Sequence, residues 1–340
     1  MSTELLDLQA LQRYCDAQLP GLGRLRDARK FSDGQSNPTF LLGTDTGDVV
    51  LRRQPPGELL KSAHAVDREY RVLEALRNSE VPVARPLHLC HDRSVIGSLF
   101  YLMSFQPGRI FWDPTLPGLE TSQRASIYDE MNRVLAALHD IDVAAAGLED
   151  FGRPGNYFER QVSRWSRQYQ ASVIDPIAEM DRLIDWLPRN LPPDDGMVSL
   201  IHGDFRIDNI IFDQQENVAR AVLDWELSTL GHPYADLAYQ CMQWRMARDA
   251  VVPGLGDIDR AALGIPDEAS YVARYCERRG LDGIAHWTFY LVFSYFRFAA
   301  ILQGVLRRAV DGNASSDKAF AYGTLAPALA RDAVALLDAD

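Results

Sequence analysis

Two different patterns of apolar and polar positions divide the chain. Residues 29–54 carry short apolar runs separated by polar turns, which is typical of antiparallel strands. The pattern then predicts a helix over about 63–76, capped by Ser62, and a further strand over 100–103. The first part of the chain is therefore predicted to form a small lobe rich in β-structure.

Beyond the turn at 106–108, apolar residues recur at helical spacing. Two short apolar runs, near 197–201 and before Asp224, interrupt that spacing and predict strands. The predicted helices cover 124–139, 157–172, 177–187, 234–247, 269–278, 285–310 and 320–337. We therefore predict an α+β fold with two lobes, residues 1–106 and a larger, mostly helical 107–340.

Composition and charge narrow the function classes. The formal net charge is −12, which disfavours a general binder of nucleic acid or of an anionic membrane. The four cysteines are scattered without a C-x-x-C pair, as in a reduced, cytoplasmic protein. The amino terminus lacks the pattern of a signal peptide, and the apolar segment 287–306 is broken by Arg297 and other polar residues. That segment is predicted to be a buried helix.

The most informative motif is H-G-D-F-R-I-D-N, which ends at Asn209. Asp204 and Asn209 lie five residues apart, directly after one predicted strand. Asp224 lies at the end of a second predicted strand. The protein-kinase loop His-Arg-Asp-Leu-x-x-x-Asn has the same spacing, and a later Asp there binds magnesium. We therefore predict that Asp204 accepts the proton of a hydroxyl, and that Asn209 and Asp224 bind Mg²⁺. A hairpin with acidic turn residues is the simpler alternative.

Other residues around this motif have less specific roles. His202 is predicted to pack and hydrogen-bond the loop, and Asp236 to cap the start of its helix and brace the loop. Glu226 has three open roles: contact with metal, contact with substrate, or exposure to solvent. A hydrolytic metal site built on His202 is a further alternative, but this segment lacks a second histidine.

A buried ion pair is predicted in the first lobe. Val66, Leu73 and Leu76 lie at −3, +4 and +7 from Glu69, so its carboxylate falls on the apolar stripe of the helix. Such a carboxylate needs a partner. By strand parity Arg52 occupies the position where kinases place a lysine that bridges the helix glutamate and the nucleotide phosphates. A purely structural ion pair is the alternative.

Two weaker signals complete the predicted nucleotide site. The turn S-D-G-Q-S-N-P contains Gln35, Ser36 and Asn37, which are placed to bring groups to a phosphate. Ser104 and Phe105 lie where the chain crosses between the lobes, and their backbone groups are predicted to contact an adenine edge. Neither segment predicts a nucleotide site when taken alone, and each supports one only together with the other motifs.

Basic residues suggest an acceptor site. Arg160, Arg164 and Arg167 fall at i, i+4 and i+7 of one predicted helix, with Trp165 beside them. This stripe suits a carboxylate or phosphate of a small-molecule acceptor, or else is an ordinary solvated face. Arg297, in an aromatic helix, is predicted either to brace the site or to line the acceptor pocket.

These motifs resemble the aminoglycoside phosphotransferase family, since Gly203 replaces the kinase arginine and D-W-E replaces D-F-G. The stretches F-S-D-G-Q-S-N-P-T-F, V-L-R-R-Q-P-P-G and S-A-H-A-V-D-R-E-Y-R-V-L resemble the branch associated with acyl-CoA dehydrogenases, over about 22–336. The resemblance implies a bilobal protein-kinase-like fold and transfer of the γ-phosphoryl group of ATP, with Mg²⁺, to a hydroxyl. It implies a hydroxyacyl-CoA or hydroxy acid as the acceptor.

Three alternatives stay open from the sequence. The acidic net charge suits an aminoglycoside kinase, although the arginine stripe does not. Arg52 in place of lysine suits a non-catalytic, nucleotide-binding scaffold. A protein kinase is disfavoured, because Asp224 leads within twelve residues into H-P-Y-A-D, without a recognisable peptide-docking segment.

Overall fold

The computed structural model describes residues 6–31, 37–55, 64–248, 250–312 and 319–339. Gln35 and Ser36, which are predicted phosphate contacts, lie outside the described residues, and so does the predicted helix cap Ser62.

The first lobe is built on a five-stranded antiparallel sheet in the order β1-β2-β3-β5-β4. Its strands are β1 (Leu25–Lys30), β2 (Thr39–Thr44), β3 (Val49–Arg53), β4 (Pro86–Cys90) and β5 (Phe100–Ser104). In the register, Arg52 of β3 stands between Thr39 and Tyr101. Because side chains alternate along a strand, Leu51 is fully buried while Arg52 is directed to the opposite face.

Two helices accompany the sheet, α1 (Leu8–Gln18) and α2 (Val66–Leu76). The predicted end of α2 is confirmed, whereas its start was placed about three residues too early. Glu69 is buried among the apolar residues of α2, at 2% exposure, as its spacing predicts.

The second part of the chain is mostly helical. Its helices are α3 (Thr121–His139), α4 (Tyr157–Ser172), α5 (Ala178–Trp186), α6 (Tyr234–Met242), α7 (Arg260–Leu263), α8 (Glu268–Arg279), α9 (Trp287–Val310), α10 (Ala319–Gly323) and α11 (Ala326–Ala339). Two predictions were wrong in detail. Helix α6 ends at Met242, since the chain turns there and the Trp244 indole donates to Pro266 O at 2.7 Å. The last predicted helix is two helices, separated by a turn in which Thr324 Oγ1 donates to Ala321 O.

Helix α9 lies in the core of this part. By length and composition it would suit a membrane span, but 83% of its most apolar window is buried inside the protein. It packs against α4, α6 and α11, and its aromatic rings contact those of α4 and α6. The prediction of a buried helix is confirmed.

Four short strands carry the loops of interest. They are β6 (Ser199–Ile201), β7 (Ile210–Phe212), β8 (Ala219–Val222) and β9 (Thr229–Gly231), paired as β6–β9 and β7–β8. The chain after β5 passes directly over β7, where Arg109 N donates to Phe212 O at 2.8 Å. A Cβ at Gly108 would lie 2.2 Å from that same carbonyl oxygen, so only glycine fits this crossing.

Candidate functional site

A buried carboxylate holds the loop between β6 and β7. Asp236, near the start of α6, accepts hydrogen bonds from His202 N at 2.6 Å and Gly203 N at 2.8 Å. His139 Nε2 lies 3.4 Å from the same carboxylate. Burial alone would raise the pKa of Asp236, but these hydrogen bonds and the adjacent histidines hold it below its ordinary value. The bracing role predicted for Asp236 is confirmed.

His202 has a structural position. Its ring is fully buried against Trp225, and Nε2 lies 2.7 Å from Leu223 O. This contact joins the loop after β6 to the end of β8, as the packing role predicted for His202 requires.

Gly203 explains why a kinase-type arginine is absent from the motif. Its φ is +85°, and a Cβ there would lie 2.7 Å from Leu227 O. Both observations require glycine. Its carbonyl oxygen accepts a hydrogen bond from Arg297 Nη2 at 2.5 Å.

The structure brings the three main predicted residues together. Asn209 Nδ2 lies 3.1 Å from Asp204 Oδ2 and 2.9 Å from Asp204 O. Asn209 O accepts from Leu223 N at 2.8 Å, so the β7–β8 ladder places Asn209 beside Asp224. Asp224 has a left-handed backbone, with φ 62° and ψ 61°. A strained residue at the end of a strand is typical of functional sites.

Asp204 is a partly exposed carboxylate in a basic setting. Its side chain is 25% exposed, and Arg206 Nε lies 3.8 Å from Oδ1. Burial would raise the pKa of Asp204, but the charge of Arg206 and a hydrogen bond from the Tyr239 hydroxyl lower it below its ordinary value. Asp204 is therefore ionised near neutral pH, as a proton acceptor must be.

Arg52 links the sheet to the loops of the second lobe. Its Nε lies 2.7 Å from Glu69 Oε2, and its Nη2 lies 2.8 Å from Asp224 Oδ1. Nη1 donates to Thr39 Oγ1 at 3.3 Å. Burial disfavours the charge, but the two carboxylates raise the pKa of Arg52 above its ordinary value. The predicted pair with Glu69 is confirmed, and the bridge to Asp224 was not foreseen.

Glu69 is satisfied by two further donors. Asn37 Nδ2 donates at 2.7 Å and the Tyr101 hydroxyl at 3.2 Å. Asn37 Oδ1 also lies 3.0 Å from His64 Nδ1. The side chain of Asn37 therefore orients Glu69, and the backbone contact to phosphate predicted for its turn stays a prediction.

The segment between the lobes is only partly as predicted. Ser104 N donates to Arg85 O at 2.9 Å, because Ser104 ends β5 and pairs with the chain entering β4. That N–H is therefore not exposed, and the prediction for it was wrong. Phe105 follows outside the strand and is partly buried.

The basic stripe on α4 divides into separate roles. Arg160 donates to the carbonyl oxygens of Arg153 and Gly155 in the preceding loop. Arg164 is exposed, with Cζ 5.1 Å from the Trp165 ring centre. Arg160 thus braces a loop, and the acceptor role of the stripe stays a prediction.

Trp165 and Arg297 lie closer to the motif. The Arg297 guanidinium carbon lies 5.7 Å from the ring centre of Trp165 and 5.2 Å from that of Tyr239. Since Arg297 also binds Gly203 O, bracing is its observed role. Glu226 follows Asp224 in a short 3₁₀ turn and contributes to the field that raises the pKa of Arg52.

The donor set fits magnesium bound with nucleotide phosphates. Among the described residues there is no cluster of three His, Cys, Asp or Glu ligands. Magnesium in such sites takes one or two protein oxygens together with phosphates and water. Asn209 turns its Nδ2 to Asp204, which leaves its amide oxygen for a cation, and Asp224 has a second oxygen beyond the one at Arg52.

Sequence reasoning missed Arg206 and Tyr239. Arg206 lies inside the motif, two residues after Asp204. A cationic side chain so close to the predicted proton acceptor could have been recognised from the sequence. Tyr239 lies 35 residues away on α6, and only the packing of that helix brings it to Asp204.

Comparison with known proteins agrees with this geometry. A family model described as "Phosphotransferase enzyme family" (APH) matches residues 27–287. The chain is similar to mouse acyl-CoA dehydrogenase family member 10, with 47% identity over 302 residues. That match covers 88% of this chain and 28% of the mouse protein, so the chain spans less than a third of that relative.

Solved structures show the same fold. The crystal structure of a candidate aminoglycoside phosphotransferase from Ralstonia eutropha matches with a TM-score of 0.90 and 47% identity, over 98% of this chain and 99% of that one. Aminoglycoside phosphotransferase APH(4)-Ia, in a ternary complex with AMP-PNP and hygromycin B, matches with a TM-score of 0.63 and 15% identity, over 96% and 98% of the two chains. The predicted kinase-like α+β fold is confirmed. The chain belongs to the APH phosphotransferase family.

Proposed function

We propose that this chain is a small-molecule kinase that transfers the γ-phosphoryl group of ATP to a hydroxyl. The observation that carries the proposal is the contact of Asn209 with both Asp204 and the strand leading to Asp224. A proton acceptor and two oxygen donors for a cation thus lie side by side, next to the sheet that in this fold covers a nucleotide.

Each residue of the site has a separate role in the proposed reaction. Asp204 orients the acceptor hydroxyl and takes its proton as the new oxygen–phosphorus bond forms. The bond from the γ-phosphorus to the β–γ bridging oxygen breaks, and ADP leaves with that electron pair. Arg52 holds Glu69 and Asp224 in place, so α2 and the loop after β8 keep a fixed relation.

Magnesium is part of the proposal. Asn209 and Asp224 would hold it, and it would supply charge neutralisation for the nucleotide phosphates. ATP is supported by the AMP-PNP complex of the structural relative APH(4)-Ia.

For the acceptor we propose a hydroxyacyl compound, as a hydroxy acid or a hydroxyacyl-CoA. Support comes from the similarity to a protein named for acyl-CoA dehydrogenation. It also comes from Arg164, which is an exposed cation on the helix whose buried Trp165 packs beside Arg297. An anionic acyl compound matches both. We also propose a cytoplasmic location, in keeping with four free, buried cysteines.

An aminoglycoside is the second candidate acceptor. The net charge of −12 favours a polycation. The Ralstonia relative is described as a candidate aminoglycoside phosphotransferase.

A single panel separates these possibilities. The protein is incubated with ATP, magnesium and hydroxyacyl-CoAs, hydroxy acids or aminoglycosides, and phosphorylated products are identified by mass spectrometry. For the true acceptor, Asp204→Asn should lower turnover by about 10²- to 10⁴-fold. Asp213→Asn, in the β7–β8 hairpin, is the matched control and should leave turnover unchanged. Nucleotide binding without phosphorylation of any acceptor would favour a scaffold, and turnover insensitive to Asp204→Asn would refute the assigned base.

A further inference from the structure

Arg206 occupies an unusual position beside the predicted base. It lies at the start of the 3₁₀ turn that leads to Asn209. Its Nε is 3.8 Å from Asp204 Oδ1, and its Nη2 contacts Asp208 Oδ2. Among the described residues, the buried Nε has no hydrogen-bond partner. The Arg206 side chain as a whole is 24% exposed, so a guanidinium held at one end by Asp208 can still contact another group beside Asp204.

The other cations near the site are already committed. Arg52 is ion-paired with Glu69 and Asp224 and donates to Thr39 Oγ1. Arg297 donates to a carbonyl oxygen of the loop and lies over two aromatic rings. Among the described residues, Arg206 is the cation that forms an ion pair with Asp204 itself, at 3.8 Å.

The chemistry of phosphoryl transfer indicates which group Arg206 would contact. The hydroxyl that Asp204 holds must face the phosphorus atom it attacks, so the transferred group lies next to Asp204. Its three peripheral oxygens carry the negative charge during transfer, and preorganised cations stabilise it. A guanidinium is well suited to this contact, because its planar fork binds phosphate oxygens in pairs.

We propose, on the basis of the function above, that Arg206 binds the γ-phosphoryl oxygens of the nucleotide and stays with them during transfer. Asp208 is the positioning residue, since it fixes the guanidinium next to Asp204 and is itself only 15% exposed. This contact to the transferred group is separate from that of the β3 lysine of kinases, which pairs with the α- and β-phosphates.

The alternative is that Arg206 only stabilises the loop through Asp208. The two roles differ in one measurable respect. A γ-phosphoryl contact exists with a nucleoside triphosphate and is absent with a diphosphate, whereas loop stability affects both nucleotides equally.

The test is calorimetric binding of AMP-PNP and of ADP, each with magnesium, to the whole chain. Arg206→Met should weaken AMP-PNP binding by about tenfold or more and leave ADP binding within about twofold, the size of one lost charge-assisted hydrogen bond. Asp208→Asn should give a smaller loss in the same direction. The matched control is Arg220→Met, which removes an Arg–Asp pair with Asp213 in the neighbouring hairpin and should change neither affinity.

The outcomes distinguish the inference from the function it rests on. If wild-type protein binds neither nucleotide, the proposed function fails. If it binds both and Arg206→Met weakens them equally, or weakens neither, the role of Arg206 is refuted while the function stands. Should Arg206→Met not fold, Arg206→Lys keeps the charge and loses the fork. An unchanged ratio of the two affinities in Arg206→Lys and Asp208→Asn would then refute the inference.

Discussion

Replacing Arg52 by methionine would leave a carboxylate buried without its cation. Glu69 is 2% exposed and lies 2.7 Å from Arg52 Nε. After Arg52→Met, it keeps only the neutral donors Asn37 and Tyr101. Breaking a buried ion pair from one side costs about 3–5 kcal/mol of unfolding free energy, because the remaining charge is neither hydrated nor paired. We expect a loss of that size.

Urea unfolding, followed by fluorescence and circular dichroism together, measures this loss. With a slope of about 3 kcal/mol/M, the midpoint should fall by about 1–2 M. The double variant Arg52→Met/Glu69→Gln should be more stable than Arg52→Met alone, because it removes the orphaned charge as well. Arg220→Met is the exposed control, and its loss should stay within about 1 kcal/mol.

Two results would contradict this reasoning. A loss below about 1 kcal/mol for Arg52→Met would show that Glu69 is hydrated or protonated at little cost. Additive losses in the double variant would show that the two side chains do not interact. In either case the ion pair could not be what holds α2 against the loop after β8.

The other predictions concern the loop after β6. Gly203→Ala should destabilise the fold by about 1–3 kcal/mol, since φ is +85° and the new Cβ would meet Leu227 O at 2.7 Å; thermal unfolding measures the loss. Asp236→Ala should cost about 2–5 kcal/mol by leaving two buried amides without an acceptor, and a loss under 1 kcal/mol would mean that water replaces it. Burial lowers the pKa of His139, so the unfolded chain binds a proton below about pH 6.5 that the folded chain does not. Stability should therefore fall as pH drops from 7 to 5, and His139→Gln should make that fall shallower.

Much of the site could be predicted from local spacing. The interval between Asp204 and Asn209, and the position of Asp224 at the end of the next strand, identified three residues that do lie together. The helical period alone placed Glu69 on a buried stripe. A buried carboxylate is costly unless it is paired, so a cationic partner was expected. The boundary between residues 106 and 107 and the acceptor roles of Arg164 and Trp165 stay predictions.

The errors have a common cause. Arg160 was grouped with Arg164 because helical spacing puts both on one face, but the loop before α4 supplies carbonyl oxygens that only Arg160 reaches. Ser104 was expected to expose backbone groups because the chain crosses between the lobes there, yet its N–H pairs with Arg85 O. Periodicity gives the face of an element and cannot give what lies opposite that face.

The sequence by itself therefore determined most of the longer helices, the fold class and the spacing of Asp204, Asn209 and Asp224, because these depend on short-range patterns along one chain. Only the tertiary structure decided which charges meet. Arg52 contacts Asp224 from 172 positions away along the chain, and Tyr239 reaches Asp204 from 35 positions away. Contacts between residues so distant along the chain follow from how helices and strands pack, and that information is not present in local spacing.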